Sequence, residues 1–289
     1  AMKEIKINTY NELIEQIENI SSQKIYKLEG QLKRFFYRGH ESKNWNLEPT
    51  ILRNQDAQEN NELRKIFNKV KNEKSKIALA VAQHYGRKTR CLDFTRNYKI
   101  ALYFACNPND SAYNEDGAIF IIEKSYHRPE WFTNYLVYYA AIDPRKVVSS
   151  WKFSDYIIQK DEISKEFART GRSFEKGDVN NEVQKYLSNG FMVDFENNDY
   201  GFERIDKQEA ALYYFGSKYY LKENGKNYYA DPAHISKCWS SKNMFMIELH
   251  NLSNPNLESD PYCTKIIIPQ RLKKEIFEKI NIKASDLGL

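Results

Sequence analysis

Apolar positions change period several times along the chain, and each change marks an element. Residues 3–20 open with Ile5 and Ile7, and Asn8-Thr9 then stands as a candidate N-cap before Leu13, Ile14, Ile17 and Ile20 at helical spacing. Residues 24–30 suit a short strand or an extended arm. Phe35-Phe36-Tyr37 is an aromatic run of high β propensity, read as a buried strand that Arg38-Gly39 closes. Residues 45–53 read as a turn and a short helix start. Over 58–83, Leu63, Ile66, Phe67, Val70, Ile77, Leu79 and Val81 form one stripe among charges, which predicts a helix. A second helix is expected over 95–105, opened near Thr95 or Asn97 and closed by Asn107-Pro108. Residues 117–122 are a continuous apolar run between Asp116 and Glu123, the clearest buried strand.

The second half is less regular. Residues 131–139 fit helix or strand, 153–169 mix both periods, 171–178 read as loop and 182–188 as a short helix. Residues 204–216 read as strand-like at their apolar end, with Gln208-Glu209 at its start. Residues 217–238 are Tyr-rich and broken by Gly and Asn, as in a hairpin or surface excursion. Residues 245–249 and 265–269 read as strands, and 271–280 as an amphipathic helix on Leu272, Ile276, Phe277 and Ile280. With no repeat and no clean linker, the pattern predicts one α+β domain over 30–289. A lead-in at 1–29 is expected to precede it, and a helical or irregular insertion to lie near 125–190.

Composition narrows the class. The apolar fraction of 41% with 14% aromatic residues can bury a core, which excludes a disordered chain. A net charge of +5, spread along the sequence, leaves no nucleic-acid footprint of its own. Cys91, Cys106, Cys238 and Cys263 show no metal spacing and sit in apolar or aromatic company, so reduced thiols are expected. No apolar run approaches the ~20 residues of a membrane span, and no signal peptide opens the chain. A cytoplasmic protein without a membrane partner is the expectation.

Candidate chemistry concentrates in residues 78–105, where two small-residue apolar runs flank His84, Tyr85, Arg87, Arg90, Asp93 and Thr95. Burying so many polar groups costs free energy unless each is paired, so the stretch reads as the wall of a site. The competing reading is a structural network around an Arg90–Asp93 ion pair. Arg38, at a strand end, points into a cleft or else snorkels to water. The five histidines are scattered without ligand spacing, so no metal is expected. Cys91 lies in apolar company, and neither a nucleophile elbow, a P-loop nor GxGxxG occurs.

Three blocks resemble the FRG domain family, which is named for its Phe/Tyr-Arg-Gly motif. They are Phe36-Tyr37-Arg38-Gly39 with Trp45, Leu47, Pro49 and Arg53; residues 82–95 with 101–105; and Arg204-Ile205 with Gln208, followed by residues 265–269 and the last helix. The chain departs from the family at Arg87-Lys88, at Phe94 where a Trp is usual, and at Glu209-Ala210 where Gln-Gly is usual. The family also continues past the last helix, so the resemblance implies more chain beyond Leu289. It recurs in bacterial toxin and phage-defence settings, which implies an antitoxin or defence partner.

In the order of its parts the chain is also similar to ADP-ribosyltransferases. That similarity implies a mixed or antiparallel sheet of their kind and NAD as substrate. It also implies transfer of ADP-ribose to a protein or nucleic acid, or NAD hydrolysis. It makes Arg38, Gly39, Tyr85, Arg90 and Thr95 the NAD-binding residues, with Asp93 in a structural pair. His84, Gln208 and Glu209 become the catalytic group, with Glu209 the carboxylate that stabilises the ribosyl cation. The alternative is a non-catalytic module that senses a nucleotide or nucleic acid through the same basic cleft and triggers a partner.

Overall fold

The aromatic run at Phe35-Phe36-Tyr37 becomes the middle of strand β3 (Gln31–His40), on which the rest of the sheet is built. The computed structural model of the chain describes residues 2–22, 25–28, 31–53, 58–65, 77–128, 132–170, 175–196, 203–223, 226–229, 245–252 and 257–289. Strand β3 runs antiparallel to β5 (Gly117–His127) from Lys33↔Ser125 to His40↔Ala118. Its other edge takes β2 (Ile25–Leu28) and then, at the single position Tyr37↔Thr95, β4 (Cys91–Thr95). Strand β4 pairs with β8 (Ala210–Tyr214), β8 with β7 (Phe191–Asp194), and β7 in parallel with β5. These five strands therefore close a ring. Beyond β5 the sheet continues through β12 (Cys263–Ile268) to β1 (Lys3–Lys6). Residues 3–6, expected as lead-in, are thus stitched into the sheet.

Alternation along the strands fills the ring with Phe36, Leu92, Phe94, Phe120, Ile122, Met192 and Tyr213. The opposite face of β3 and β5 packs against α1 (Tyr10–Ile20), α4 (Tyr98–Cys106) and α10 (Gln270–Ile280). Thr9 caps α1 as its sequence predicts, its hydroxyl accepting from the Glu12 N–H at 3.2 Å. Asn97 caps α4 in the same way, through the Lys99 N–H at 3.0 Å. Helix α10 buries Leu272, Ile276 and Ile280 at four-residue spacing.

A second, antiparallel sheet runs in the order β10 (Lys226–Tyr229), β9 (Ser217–Glu223), β11 (Phe245–Leu252), β6 (Val147–Ser149). It shares a core with α5 (Phe132–Ile142), α6 (Ser150–Ile158), α7 (Asp161–Thr170) and α8 (Lys176–Asn189). The poorly legible middle of the chain is therefore mostly helical. The helix expected over 58–83 appears as α2 (Glu59–Arg64) and α3 (Ala78–His84), and Ile66, Phe67 and Val70 lie outside the described residues. The apolar end of 204–216 is a strand as expected, from Ala210 and not from Gln208-Glu209, and the residues before it form the short helix α9 (Glu203–Lys207). Cys91, Cys106 and Cys263 are buried thiols, and Cys238 lies outside the described residues. No helix among the described residues is long and apolar enough to cross a membrane.

Candidate functional site

The ring is stitched weakly at one seam. Continuing the Tyr37↔Thr95 register would set Gly39 opposite Asp93, but the two strands have parted by then. Arg38 fills the gap, its Nη1 donating to the Asp93 backbone oxygen at 2.6 Å. A cleft of about 250 Å³ opens along this split, where β3, the end of β4, the start of β8, α3 and α9 meet.

Gly39 owes its place to packing. A Cβ there would stand 1.8 Å from the Ala101 carbonyl oxygen, so only glycine lets α4 lie directly on β3. Arg38 shares the other face of the strand with Phe36 and His40. Its Nε donates to His40 Nε2 at 2.8 Å, while His40 Nδ1 lies 3.1 Å from the Trp45 carbonyl oxygen. Arginine can only donate, so Nε2 must carry the lone pair and Nδ1 the proton. Of the five guanidinium N–H groups two are used, which leaves three for a ligand.

Gln83 and His84 at the end of α3 form the facing wall. Gln83 Nε2 donates to Asp93 Oδ2 at 2.8 Å, and its Oε1 accepts from the Thr89 hydroxyl at 2.5 Å. Asp93 is thereby oriented while its side chain stays 56% exposed, 4.0 Å from Arg38 Nη1. From the third side come Arg204 of α9 and Gln208 just after it, and the loop after β3 adds Glu41, Trp45 and Arg53. Phe94, Phe104 and Phe195 complete an aromatic lining.

The electrostatics follow from this crowding. Burial lowers Arg38 to about 10, with Asp93 opposing and Arg53 assisting, so it stays cationic at neutral pH. Burial first, then the Arg38 charge, holds His40 well below its ordinary value. His84 is lowered by burial and by Arg204, against Asp93. Glu41 is pushed up to about 7 by burial and by the neighbouring Asp110 carboxyl. The cleft thus holds three guanidinium groups and the Asp93 carboxyl, while the Glu41 carboxyl is hydrogen-bonded to Asp110 and the Ala112 backbone. Among the described residues, no group of three or more His, Cys, Asp or Glu side chains is placed to hold a metal.

Of the residues the sequence singles out, Arg38, Gly39, His84, Asp93, Thr95 and Gln208 line this one cleft. Thr95 and Gln208 are spent internally. The Thr95 hydroxyl donates to the Gln208 carbonyl at 2.8 Å, and Gln208 Nε2 donates to the Leu287 carbonyl at 3.1 Å. Three others lie elsewhere. Arg90 is fully buried and holds Glu59 at 2.7 Å, the Leu249 carbonyl at 2.7 Å and Ser217 at 3.2 Å, so neither the ligand role nor the Arg90–Asp93 pair stands. Glu209 sits at φ 46° in the turn between α9 and β8. That left-handed turn carries its carboxylate to Asn97 Nδ2 at 2.8 Å, outside the cleft lining. Tyr85 is 47% exposed and rests edge-on against His84 without lining the cleft.

Sequence reasoning assigns no role to His40, Glu41, Arg53 or Arg204. His40 carries a readable signal, since two residues after Arg38 on a strand is the same face. Arg53 and Arg204 stand in the family-like blocks without a role, and Glu41 has no signal, because loops and a five-residue helix leave no period to read.

No curated protein and no solved structure matches the chain. One family model does, the FRG domain, over residues 33–114, a span that runs from β3 through α4. Nearly every polar group of the cleft falls within it; Arg204 and Gln208 come from outside. The segment that carries Arg38, Gly39, His84 and Asp93 is thus the part of the chain that matches the FRG domain.

Proposed function

We propose that the cleft binds NAD and breaks its nicotinamide–ribose bond, passing ADP-ribose to water or to a macromolecular acceptor. The observation behind this reading is the convergence of Arg38, Arg53 and Arg204 with Asp93 on one aromatic-lined cleft. Guanidinium groups with N–H groups to spare suit phosphate oxygens. A cleft of about 250 Å³ lies just under the ~300–1,000 Å³ of small-molecule sites, so it suits one ring–ribose–phosphate half with the remainder along the open mouth. Trp45 and Phe94 supply apolar faces for a flat ring.

Asp93 takes the role that Glu209 has in the sequence-based reading. Its carboxylate, fixed by Gln83, faces the carbon that becomes cationic as nicotinamide leaves with the bonding electron pair. The attacking water or acceptor hydroxyl gives up its proton to solvent at the open mouth of the cleft. Hydrolysis balances as NAD and water giving nicotinamide, ADP-ribose and one proton. A toxin or phage-defence role fits such NAD consumption. One observation favours the non-catalytic alternative instead: Glu209 is turned out of the cleft and held by Asn97.

The test is nicotinamide release by the purified protein, with and without cell lysate as acceptor. Arg38→Ala and Asp93→Asn are expected to lower turnover by about a hundredfold or more, and Glu209→Ala to leave it within about twofold. ADP-ribose binding without release would favour the sensing module. Release that survives Asp93→Asn would reject the assignment of that carboxylate.

A further inference from the structure

We propose that His40, through the lone pair on Nε2, orients the Arg38 guanidinium for an anionic ligand, and that protonating this ring releases the guanidinium and shuts the ligand out. The inference deepens the nucleotide reading and rests on it for the ligand. Its geometry stands by itself.

Arg38 is gripped from two sides. Nη1 reaches across the split seam to the Asp93 carbonyl at 2.6 Å, and Nε reaches along its own strand to His40 at 2.8 Å. Two bonds on different nitrogens fix the plane of a guanidinium, where one would let it swing. His40 can serve because its own orientation is set: Nδ1–H donates to the Trp45 carbonyl at 3.1 Å, and its ring packs edge-on against Phe120 of β5 at 5.0 Å between centroids. The ring is 2% exposed, so Nε2 is held against Arg38 with almost no contact with water of its own.

The charged groups around it all oppose a second proton. Arg38 lies on its own strand, Arg53 on the following loop and Lys265 on β12, and burial adds to their effect. The ring therefore stays neutral well below its ordinary value near 6.5. Once protonated, it has no lone pair for Arg38 and sets a cation against a cation. The guanidinium must then swing away. The sign is fixed: the site is intact above the ring's titration and lost as pH falls through it.

The experiment uses the full chain and ADP-ribose, with inorganic pyrophosphate as a second probe, titrated calorimetrically from about pH 8 to about pH 4, because the ring takes up its proton only well below its ordinary value. His40→Gln keeps an oxygen for Arg38 and an N–H for Trp45 but does not titrate. It should bind within about threefold of the native protein at high pH and lose the acid-side weakening. His40→Leu keeps the bulk and removes the acceptor; it should bind about tenfold more weakly at every pH. No acid limb in the native protein down to about pH 4, an acid limb unchanged in His40→Gln, or native affinity in His40→Leu would overturn the proposal.

Nitrogen-15 spectra of the ligand-free protein separate this failure from that of the nucleotide reading. A protected Arg38 Nε–H signal is expected in the native protein and in His40→Gln, and not in His40→Leu. The same signal in all three would refute the tether. A tether that holds while neither probe binds would refute the nucleotide reading and, with it, the exclusion of ligand claimed here.

Discussion

Arg38 and Arg90 carry the same guanidinium and do opposite jobs. Arg38 keeps N–H groups for a ligand, whereas Arg90 spends its own on Glu59, Ser217 and the Leu249 carbonyl at full burial. Removing the partner strands a buried charge, so Glu59→Ala should destabilise the protein by about 3–5 kcal/mol in urea unfolding. Nothing local in the sequence shows this pairing. Asp93 lies three residues from Arg90, but Glu59 lies on α2, 31 residues away, and sequence period does not report contacts between elements. Gly39 is the reverse case, legible as a motif residue but for a different reason. Its motif place suggests ligand binding, and the backbone of Ala101 explains it by packing. Gly39→Ala should cost about 3 kcal/mol through overpacking, with loss of nucleotide binding only as β3 shifts.

The element that decides the shape of the cleft is α9, five residues long and tied at its end. Gln208 meets Thr95 on one side and the 3-10 turn Ala284–Leu287 on the other, with Lys207 Nζ donating to the Ser285 carbonyl at 3.1 Å. On this geometry Gln208 positions α9 and Arg204 and does not touch the reacting atoms. Gln208→Ala should raise KM for NAD several-fold and leave kcat nearly unchanged; an equal fall in kcat would make it catalytic. Elements with long, single-period patterns were readable beforehand, β5 from its apolar run and α10 from its stripe. A five-residue helix completes little more than one turn, so α9 gives no such stripe and merges with the apolar run of β8.

At the scale of the whole molecule, buried neutral histidines set the response to acid. His127 closes against Tyr186 and Phe191, and burial, then Lys185, lower it from near 6.5 to about 4. The folded state then binds fewer protons than the unfolded chain. Its contribution is full above about pH 6.5 and is lost as pH falls toward 4, about 3 kcal/mol. Urea midpoints measured across that range should fall with pH, and His127→Phe should flatten the slope. The split seam has a consequence of another kind. Strand β3 is hydrogen-bonded to β5 through all of Lys33 to His40, while β4 leaves β3 after one pair. Amide deuterium exchange should therefore divide the two walls. Protons of β3 that point to β5 should exchange only when the whole ring opens, whereas those of β4 that face the seam should exchange through local breathing. A bound nucleotide would then register as slowed exchange on β4 and α9 alone, which marks where it sits without any chemistry being followed.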